Sequence, residues 1–511
     1  MRRQALSRRD FLKLVGAASL SLSALSVAGS EPARRDLKSQ PLPNILMLVF
    51  DTLAARDMSL YGYPRPTTPN FERFADRSTV YHRHYSPANF TTPGTASLLT
   101  GVYPWTHRAI HLQGQMTDAF AAQNLFSLLP ADYHNFAYTH NTLVQILLDQ
   151  SRDHIDDLLD ISDLSLYSDI LAEKLPLPEF TAPFEAELLT TKNFFAVNSS
   201  LFISIIDELQ RKHKNSRLDE LYKDTFPRGL PNCHVGDRLN ALCFTLESAV
   251  DWIGLQAKQR PQPYFGYVHL LPPHSPYNPR REFIGKFKDK LDLPAKPEHH
   301  FTEHEDQKSA DRMRRRYDET IAYVDAEFGR LIDLLEASNA LTNTCLIVTS
   351  DHGEIIERGV LGHNNPLLYE QLIHVPLLIA YPGQKIRQDI YQATSAVDLV
   401  PSLLNLTGVQ QPAWLEGDIL PQDAPASGFS RNLFALEAKS NPKHGPLAKA
   451  TFALLQDRYK LIYYRGYQDF DGVFELYDLE DDPEEVRNLY SSQDKLSADL
   501  KEILLDQANS Y

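Results

Sequence analysis

The chain has 511 residues, of which 43% are apolar and 23% are charged, and its formal net charge is −15. This is the composition of a globular protein with enough apolar residues for a large core. The acidic balance disfavours a nucleic-acid partner, because contacts to phosphate backbones need clustered Lys and Arg.

Residues 1–28 are predicted to form a twin-arginine signal peptide. Residues 7–13 contain the paired arginines, residues 14–27 are mildly apolar, and small residues would allow cleavage after Ala28. An uncleaved membrane anchor is the alternative. The signal implies the twin-arginine export machinery as a partner and a periplasmic or extracellular location. It holds five basic residues and one acidic residue, so the mature chain would carry −19. No other run in the sequence is long and apolar enough to span a bilayer.

The rest of the chain divides into three further parts. Residues 29–43 are polar and contain proline, which is typical of a linker. Residues 44–400 have the pattern of a large α/β domain, with a leucine-rich, acidic helical insertion at about 145–250. Residues 401–511 are expected to form a smaller C-terminal subdomain. The insertion either shapes a binding pocket or only covers a sheet edge.

Hydrophobic spacing predicts several individual elements. Amphipathic helices are predicted over residues 200–211, 239–255, 317–337 and 497–507. A strand is predicted over residues 264–270, and a hairpin joins residues 452–455 to residues 459–464.

Two apolar runs end in acidic residues. Residues 45–50 lead into Asp51, and residues 345–350 lead into Asp351 and His352. Open α/β sheets bind ligands at the carboxyl ends of their strands, so these side chains are candidates for a shared site. The alternative is that each Asp only caps the turn that follows its strand.

Residues 89–101 contain a further candidate, Thr91. Pro93 lies near the first turn of a predicted short helix, and Gly101 ends it. The free N–H groups at such a helix start attract anions, so Thr91 would lie where a phosphate or sulfate can bind.

The three cysteines have no metal-binding spacing. Cys345 lies inside an apolar run and is expected to pack in the core. A bridge between Cys233 and Cys243 is compatible with an oxidising compartment, but their spacing does not establish it.

Ten short motifs follow one another in the order known from one family. They are residues 43–51, 61–63, 67–71, 97–104, 264–269, 273–277, 350–354, 368–370, 375–377 and 476–483. Together they resemble the sulfatase family of the alkaline phosphatase superfamily. The resemblance implies an α/β fold with a mixed sheet sandwiched by helices, a catalytic domain over residues 44–400 and a smaller C-terminal α+β subdomain.

The nucleophile motif departs from the sulfatase pattern. Sulfatases have Cys or Ser, any residue, Pro, any residue and Arg, and the first residue is oxidised to formylglycine. Here residues 91–95 begin with Thr91 and end with Thr95, so no formylglycine can form and the Arg is missing. The pair of acids that the family has near the N-terminus is reduced to Asp51 and Thr52. The remaining pattern resembles the Thr-nucleophile branches of the superfamily.

The resemblance implies one divalent metal ion, held by Asp51, Thr91, Asp351 and His352. Calcium is the family's usual ion. His352 replaces an Asn of many sulfatases, and its nitrogen would allow manganese or zinc to compete.

Further site residues come from the same resemblance. His274 lies in the family's Pro-His-x-Pro-Tyr motif and would protonate the leaving group as a general acid. The alternative is a structural loop histidine. Asn365 stands where the family often has Lys, so a charge role there would pass to His363. Asn141 lies near the family's other Lys/His motif and, with Thr95 and Asn365, is expected to contact substrate.

These residues predict a metal-dependent hydrolase that cleaves phosphate, phosphonate or sulfate esters through Thr91. A phosphoryl transferase and a catalytically decayed binding protein on the same fold are the alternatives. The substrate would be a small-molecule, lipid or glycan ester. A second metal site at His299, His300 and His304 lacks firm ligand spacing, so a solvated polar loop is favoured there.

Overall fold

The structure is a computed structural model. It describes residues 41–161, 163–164, 216–218, 220–231, 245–291, 293–294, 296–303, 306–422 and 431–511, with isolated positions between 206 and 213. The predicted signal peptide, most of the linker and insertion, the helix predicted over 200–211, Cys233 and Cys243 lie outside these residues. Among the described residues, no helix combines the length and the apolar character needed to cross a membrane.

The strands of the described chain are β1 Asn44–Phe50, β2 Thr79–Tyr81, β3 His84–Tyr85, β4 His134–Thr139, β5 Asp157–Leu158, β6 Tyr264–Leu270, β7 Thr344–Thr349, β8 Ile356–Glu357, β9 Val360–Leu361, β10 Leu377–Ala380, β11 Gln388–Ile390, β12 Thr394–Ser395, β13 Leu433–Glu437, β14 Ala450–Gln456, β15 Tyr459–Arg465 and β16 Val473–Asp478. Eight of them form a mixed sheet in the order β11-β2-β10-β7-β1-β6-β4-β5. The central strand β1 is apolar and buried on both faces, as is typical of a parallel strand covered from two sides. Strands β7, β1, β6 and β4 run parallel, whereas β10 is antiparallel to β7.

Helices cover both faces of this sheet. The helices are α1 Pro69–Ala75, α2 Thr91–Thr100, α3 Pro104–His107, α4 Asp118–Ala122, α5 Leu125–Leu128, α6 Thr142–Gln150, α7 Leu246–Gln259, α8 Gln307–Ala337, α9 Glu370–Ile373, α10 Leu399–Thr407 and α11 Lys495–Asn509. Leu46 and Leu48 of β1 join one apolar cluster with helices α1, α7 and α8, whereas Met47 and Val49 join another with α2, α6 and α10. The predicted sandwich of helices around a mixed sheet is therefore confirmed. Cys345 is a free cysteine buried in β7, as expected.

The long helix α8 begins ten residues before the predicted start at residue 317. Asp306 caps it, accepting a hydrogen bond from the Ser309 N–H at 2.9 Å. Residues 307–316 are mostly charged, so no apolar period marks them as helical. Tertiary contacts stabilise this first part instead, because the buried Arg314 guanidinium pairs with Asp57.

The smaller C-terminal subdomain contains an antiparallel sheet, β13-β14-β15-β16, and helix α11. The predicted hairpin is confirmed, with Asp457 at φ 53° in the turn between β14 and β15. Lys460 of β15 is fully buried, and its Nζ lies 3.0 Å from Glu370 Oε1 and 2.5 Å from Glu485 Oε1. Glu370 begins helix α9, so this cluster fastens the C-terminal sheet to the larger α/β part.

We expect Lys460→Met to lower the free energy of unfolding by about 3–5 kcal/mol, because it leaves two buried carboxylates without their cation. Urea unfolding followed by tryptophan fluorescence measures the change. Lys495→Met is the control, since Lys495 pairs with Asp499 on an exposed helix face and its loss should leave the midpoint unchanged. Equal midpoints for the two variants would contradict the buried pair's contribution.

Candidate active site

Three polar side chains, those of Asp51, Asp351 and His269, meet at the carboxyl edge of the parallel strands. In the register of the sheet, Val49 of β1 lies beside His269 of β6 and Thr349 of β7. Asp51 and Asp351 come two residues after Val49 and Thr349. Because neighbouring parallel strands end together, both acids face His269 across the same edge.

Helix α2 brings Thr91 to this edge as its first residue. A Cβ atom at Gly94 would lie 2.4 Å from the Asp351 carbonyl oxygen, so only glycine permits this close approach. Gly101 ends the helix at φ 72°. The buried Thr91 Oγ1 lies 3.3 Å from His352 Nε2.

In each of the two acids, one carboxylate oxygen accepts hydrogen bonds from the protein and the other does not. Asp51 Oδ2 accepts a hydrogen bond from Asn141 Nδ2 at 2.6 Å. Asp351 Oδ1 accepts from the backbone N–H groups of His352 and Thr52 at 2.9 and 3.4 Å. Asp51 Oδ1 and Asp351 Oδ2 are buried without a hydrogen-bond partner among the described residues. His352 Nε2 lies 3.5 Å from the first and 3.6 Å from the second.

The His352 ring presents a lone pair to these oxygens. Its Nδ1 lies 2.8 Å from the Gly353 carbonyl oxygen, which can only accept, so in the neutral ring the proton belongs on Nδ1. Burial, reinforced by the neighbouring His363, holds the pKa of His352 well below its usual value. A buried neutral imidazole of this kind is a suitable metal ligand.

The pKa values of the two acids are shifted in opposite directions. Burial and the facing charge of Asp51 raise the pKa of Asp351 well above its ordinary value. Burial alone would also raise the pKa of Asp51, but His274, His269 and His352 outweigh it and the pKa is lowered. Two close carboxylates that are shielded from water need a cation between them.

The donor set fits a divalent metal ion. Asp51, Asp351 and His352 each offer a ligand atom, and these atoms lie within 4.8 Å of one another. Metal bonds of about 2.0–2.2 Å place neighbouring ligand atoms about 3.0–3.5 Å apart, close to the separations among these residues and Thr91. Two carboxylates, one imidazole and a hydroxyl suit manganese or zinc as well as harder ions.

His269 contacts the same centre, although the sequence did not mark it as a site residue. It is fully buried, and its Nε2 lies 3.4 Å from Asp51 Oδ2 and 3.7 Å from Asp351 Oδ2 without a hydrogen bond. The Tyr267 hydroxyl, 3.2 Å from His269 Nδ1, orients the ring. The sequence offered one signal for this role, because His269 is a polar residue near the end of an otherwise apolar strand.

His274 and His363 extend the centre outwards from His352. The ring centroids of His352 and His363 are 4.5 Å apart, and those of His363 and His274 are 5.0 Å apart. His363 Nδ1 lies 3.0 Å from the buried Glu354 Oε1, which also brings Glu354 into the site. Tyr277 donates to the other oxygen of Glu354 at 2.9 Å. The two predicted catalytic histidines therefore lie beside the predicted metal ligands.

Asn141 and Thr95 lie deeper than expected for substrate contacts. The Asn141 amide binds Asp51 and its Oδ1 caps helix α6, accepting from the Leu143 N–H at 2.8 Å. Thr95 is fully buried next to Tyr267. The Asn141 side chain therefore supports Asp51, whereas Thr95 Oγ1 has no hydrogen-bond partner among the described residues.

Asn365 also uses its side chain locally. Its Nδ2 donates to the Gly362 carbonyl at 2.8 Å, and its Oδ1 accepts from the Leu367 N–H at 3.0 Å. Asn89 in turn donates to the Asn365 carbonyl at 2.7 Å. These bonds fix the loop that carries His363 against the segment that precedes Thr91.

The solvated loop favoured for His299 and His300 is wrong for His299. His299 is buried, and its Nε2 lies 3.4 Å from Glu475 Oε1. The exposed His300 stacks on Phe470, with ring centroids 4.6 Å apart. An aromatic cluster, which the sequence spacing could not reveal, covers this loop. His304 lies outside the described residues.

Comparisons with known proteins agree with this geometry. The family model described as Sulfatase matches residues 43–159 and 238–409, and the one described as N-sulphoglucosamine sulphohydrolase, C-terminal, matches residues 362–510. The uncharacterized sulfatase YidJ of Escherichia coli (strain K12) is 24% identical over 474 residues, which cover 88% of this chain and 83% of YidJ.

Solved structures show the same fold. The phosphonate monoester hydrolase of Agrobacterium radiobacter superposes with a TM-score of 0.62 at 20% identity, covering 92% of this chain and 96% of its own. A protein solved with its substrate D-glucosamine-2-N,6-O-disulfate has the same TM-score at 17% identity, covering 92% and 97%. The chain belongs to the sulfatase family of the alkaline phosphatase superfamily and is a sulfatase-like ester hydrolase.

Proposed function

We propose that this protein cleaves phosphate, phosphonate or sulfate esters with Thr91 as the nucleophile and one divalent metal ion as cofactor. The observation that carries the proposal is the convergence of Thr91 Oγ1 and His352 Nε2 with the two unpartnered buried oxygens of Asp51 and Asp351. Core packing gives no reason for such a set of polar atoms.

Asp51, Asp351, His352 and Thr91 would hold the metal ion. When bound, it would lower the pKa of the Thr91 hydroxyl and stabilise charge on the transferring group. The start of helix α2 adds free backbone N–H groups on the same side, which favour the oxygens of a bound ester.

The protein side chains then divide the reaction into two displacements. The ionised Thr91 Oγ attacks phosphorus or sulfur, the bond to the leaving oxygen breaks, and His274 donates a proton to that oxygen. Water next attacks the group on Thr91, its proton passes to His274, and Thr91 is released. His363, oriented by Glu354, would contact an oxygen of the transferring group.

The nucleophile favours phosphorus over sulfur. A formylglycine hydrate has a second hydroxyl that can expel sulfate, whereas a Thr ester has none and needs attack by water at the central atom. Metal-assisted in-line attack on phosphorus is a common solution. The similarity in fold to a phosphonate monoester hydrolase is compatible with this preference. Another alcohol in place of water would give the phosphoryl-transferase alternative.

A small-molecule, lipid or glycan ester is the proposed substrate class. Export by the twin-arginine machinery to the periplasm, or beyond it, stays a prediction, because residues 1–28 lie outside the described residues.

We expect Thr91→Ala to lower kcat/KM for the preferred ester by at least about 10³-fold, because it removes the attacking oxygen. Matched aryl phosphate, phosphodiester, phosphonate and sulfate substrates measure the loss and identify the ester. Thr100→Ala is the control, since Thr100 lies in the same helix and its buried hydroxyl only donates to the Ala96 carbonyl. Equal rates for parent and Thr91→Ala would overturn the nucleophile assignment. A metal-loaded parent that cleaves none of the four esters would favour a binding protein.

Metal binding should depend on Asp351. We expect manganese or zinc to raise the melting temperature of the metal-free parent, because a ligand of the folded state stabilises it. Asp351→Asn should lose this increase and the bound metal, as measured by elemental analysis. Without metal the variant should melt no lower than the parent, since it removes one of two facing charges. Unchanged metal content in Asp351→Asn would refute the ligand assignment.

A further inference from the structure

A lysine of the C-terminal subdomain, Lys439, lies beside Phe90, the residue that precedes Thr91. Lys439 follows strand β13, and the Leu436 N–H at the end of that strand donates to the Pro87 carbonyl at 2.9 Å. Pro87 precedes Thr91 by four residues, so this backbone bond places the Lys439 loop along the segment that enters helix α2.

The Lys439 side chain lies near Phe90 and contacts Asn364. Its Nζ lies 5.6 Å from the centroid of the Phe90 ring, the residue directly before Thr91. It also donates to Asn364 Oδ1 at 3.1 Å, next to His363. The ammonium group therefore lies between the residue before the nucleophile and the residue after one of the two outer histidines.

No acidic side chain closely neutralises this ammonium group among the described residues. Glu437 Oε1 is 3.9 Å away and already accepts a hydrogen bond from the Lys439 backbone N–H at 3.1 Å. The other oxygen of Glu437 accepts from the Tyr467 hydroxyl at 2.8 Å. Burial, opposed by Glu437, lowers the pKa of Lys439, yet 22% of its side chain stays exposed to solvent.

We propose that Lys439 binds a non-bridging oxygen of the tetrahedral anion that Thr91 attacks. Thr95 and Asn365 occupy positions where sulfatases have Arg and Lys. Thr95 carries no charge and is fully buried, and the Asn365 amide donates to the Gly362 carbonyl. Lys439 supplies a positive charge to this pocket from a different part of the chain. The inference rests on the proposed function and adds a substrate-binding residue to it.

The competing role for Lys439 is structural, through its contact with the Phe90 ring and Asn364. A cation over an aromatic ring contributes to the stability of the fold, so the loss of this contact alone would change stability and leave anion affinity unaltered. Measuring anion affinity and melting temperature on the same variants separates the two roles.

The test uses the metal-loaded full chain with orthophosphate and sulfate as probes, and isothermal titration calorimetry as the readout. We expect Lys439→Met to raise the phosphate Kd about 10- to 100-fold, because a charge-assisted hydrogen bond is lost. Lys439→Arg should recover part of the affinity. Lys449→Met is the matched control, since Lys449 follows in the same loop and its Nζ also lies over a ring, that of Tyr467, at 5.3 Å.

Three results would overturn the inference: a phosphate Kd in Lys439→Met equal to that of the parent, an equal loss in Lys449→Met, or a metal-loaded parent that binds neither ion. Metal content and melting temperature check that each variant is folded and loaded. A parent that hydrolyses esters through Thr91 while Lys439→Met keeps its Kd and KM refutes only the role of Lys439. Weakened phosphate binding in Lys439→Met, together with an inactive parent, refutes only the proposed function.

Discussion

The repulsion between two buried carboxylates is the constraint on which the rest of this site depends. Asp51 and Asp351 end neighbouring parallel strands, so the sheet brings them together regardless of their charge. Asn141 donates to Asp51 Oδ2, and two backbone N–H groups donate to Asp351 Oδ1. The other oxygens of the two acids, Asp51 Oδ1 and Asp351 Oδ2, face His352. In the proposed mechanism, a cation at this point would offset the repulsion between the two carboxylates and would lie beside the Thr91 hydroxyl that it activates.

The residues around the two acids come from several separate segments of the chain. Helix α2 approaches Asp351 closely because Gly94 has no side chain, and this brings Thr91 and the helix start to the acids. The loop of His363 is tied to the segment that precedes Thr91 through Asn365 and Asn89. The buried Lys460 cluster holds the C-terminal sheet to the larger α/β part. The loop after the first strand of this sheet places Lys439 next to Asn364. Loss of the C-terminal subdomain would therefore alter the pocket as well as stability.

Hydrophobic patterns predicted much of the fold. The apolar run before Asp51 and the strand over residues 264–270 have the burial that their composition indicated. Helix α8 shows the limit of such patterns, because its first ten residues are mostly charged and are held by contacts such as Arg314 with Asp57. Residues that act locally in a strand or turn were predictable, whereas those held by distant partners were not.

The sequence by itself determined the family and the strand-end acids, and it predicted Thr91 in place of the formylglycine precursor, since these depend on residue identity and order. Only the tertiary structure decided that His269 faces both acids and that Lys439 lies beside Phe90. It also decided that Asn141 binds Asp51 and that the Asn365 amide is engaged in its own loop. These roles depend on contacts between segments far apart in the chain, and a local sequence pattern does not predict such contacts.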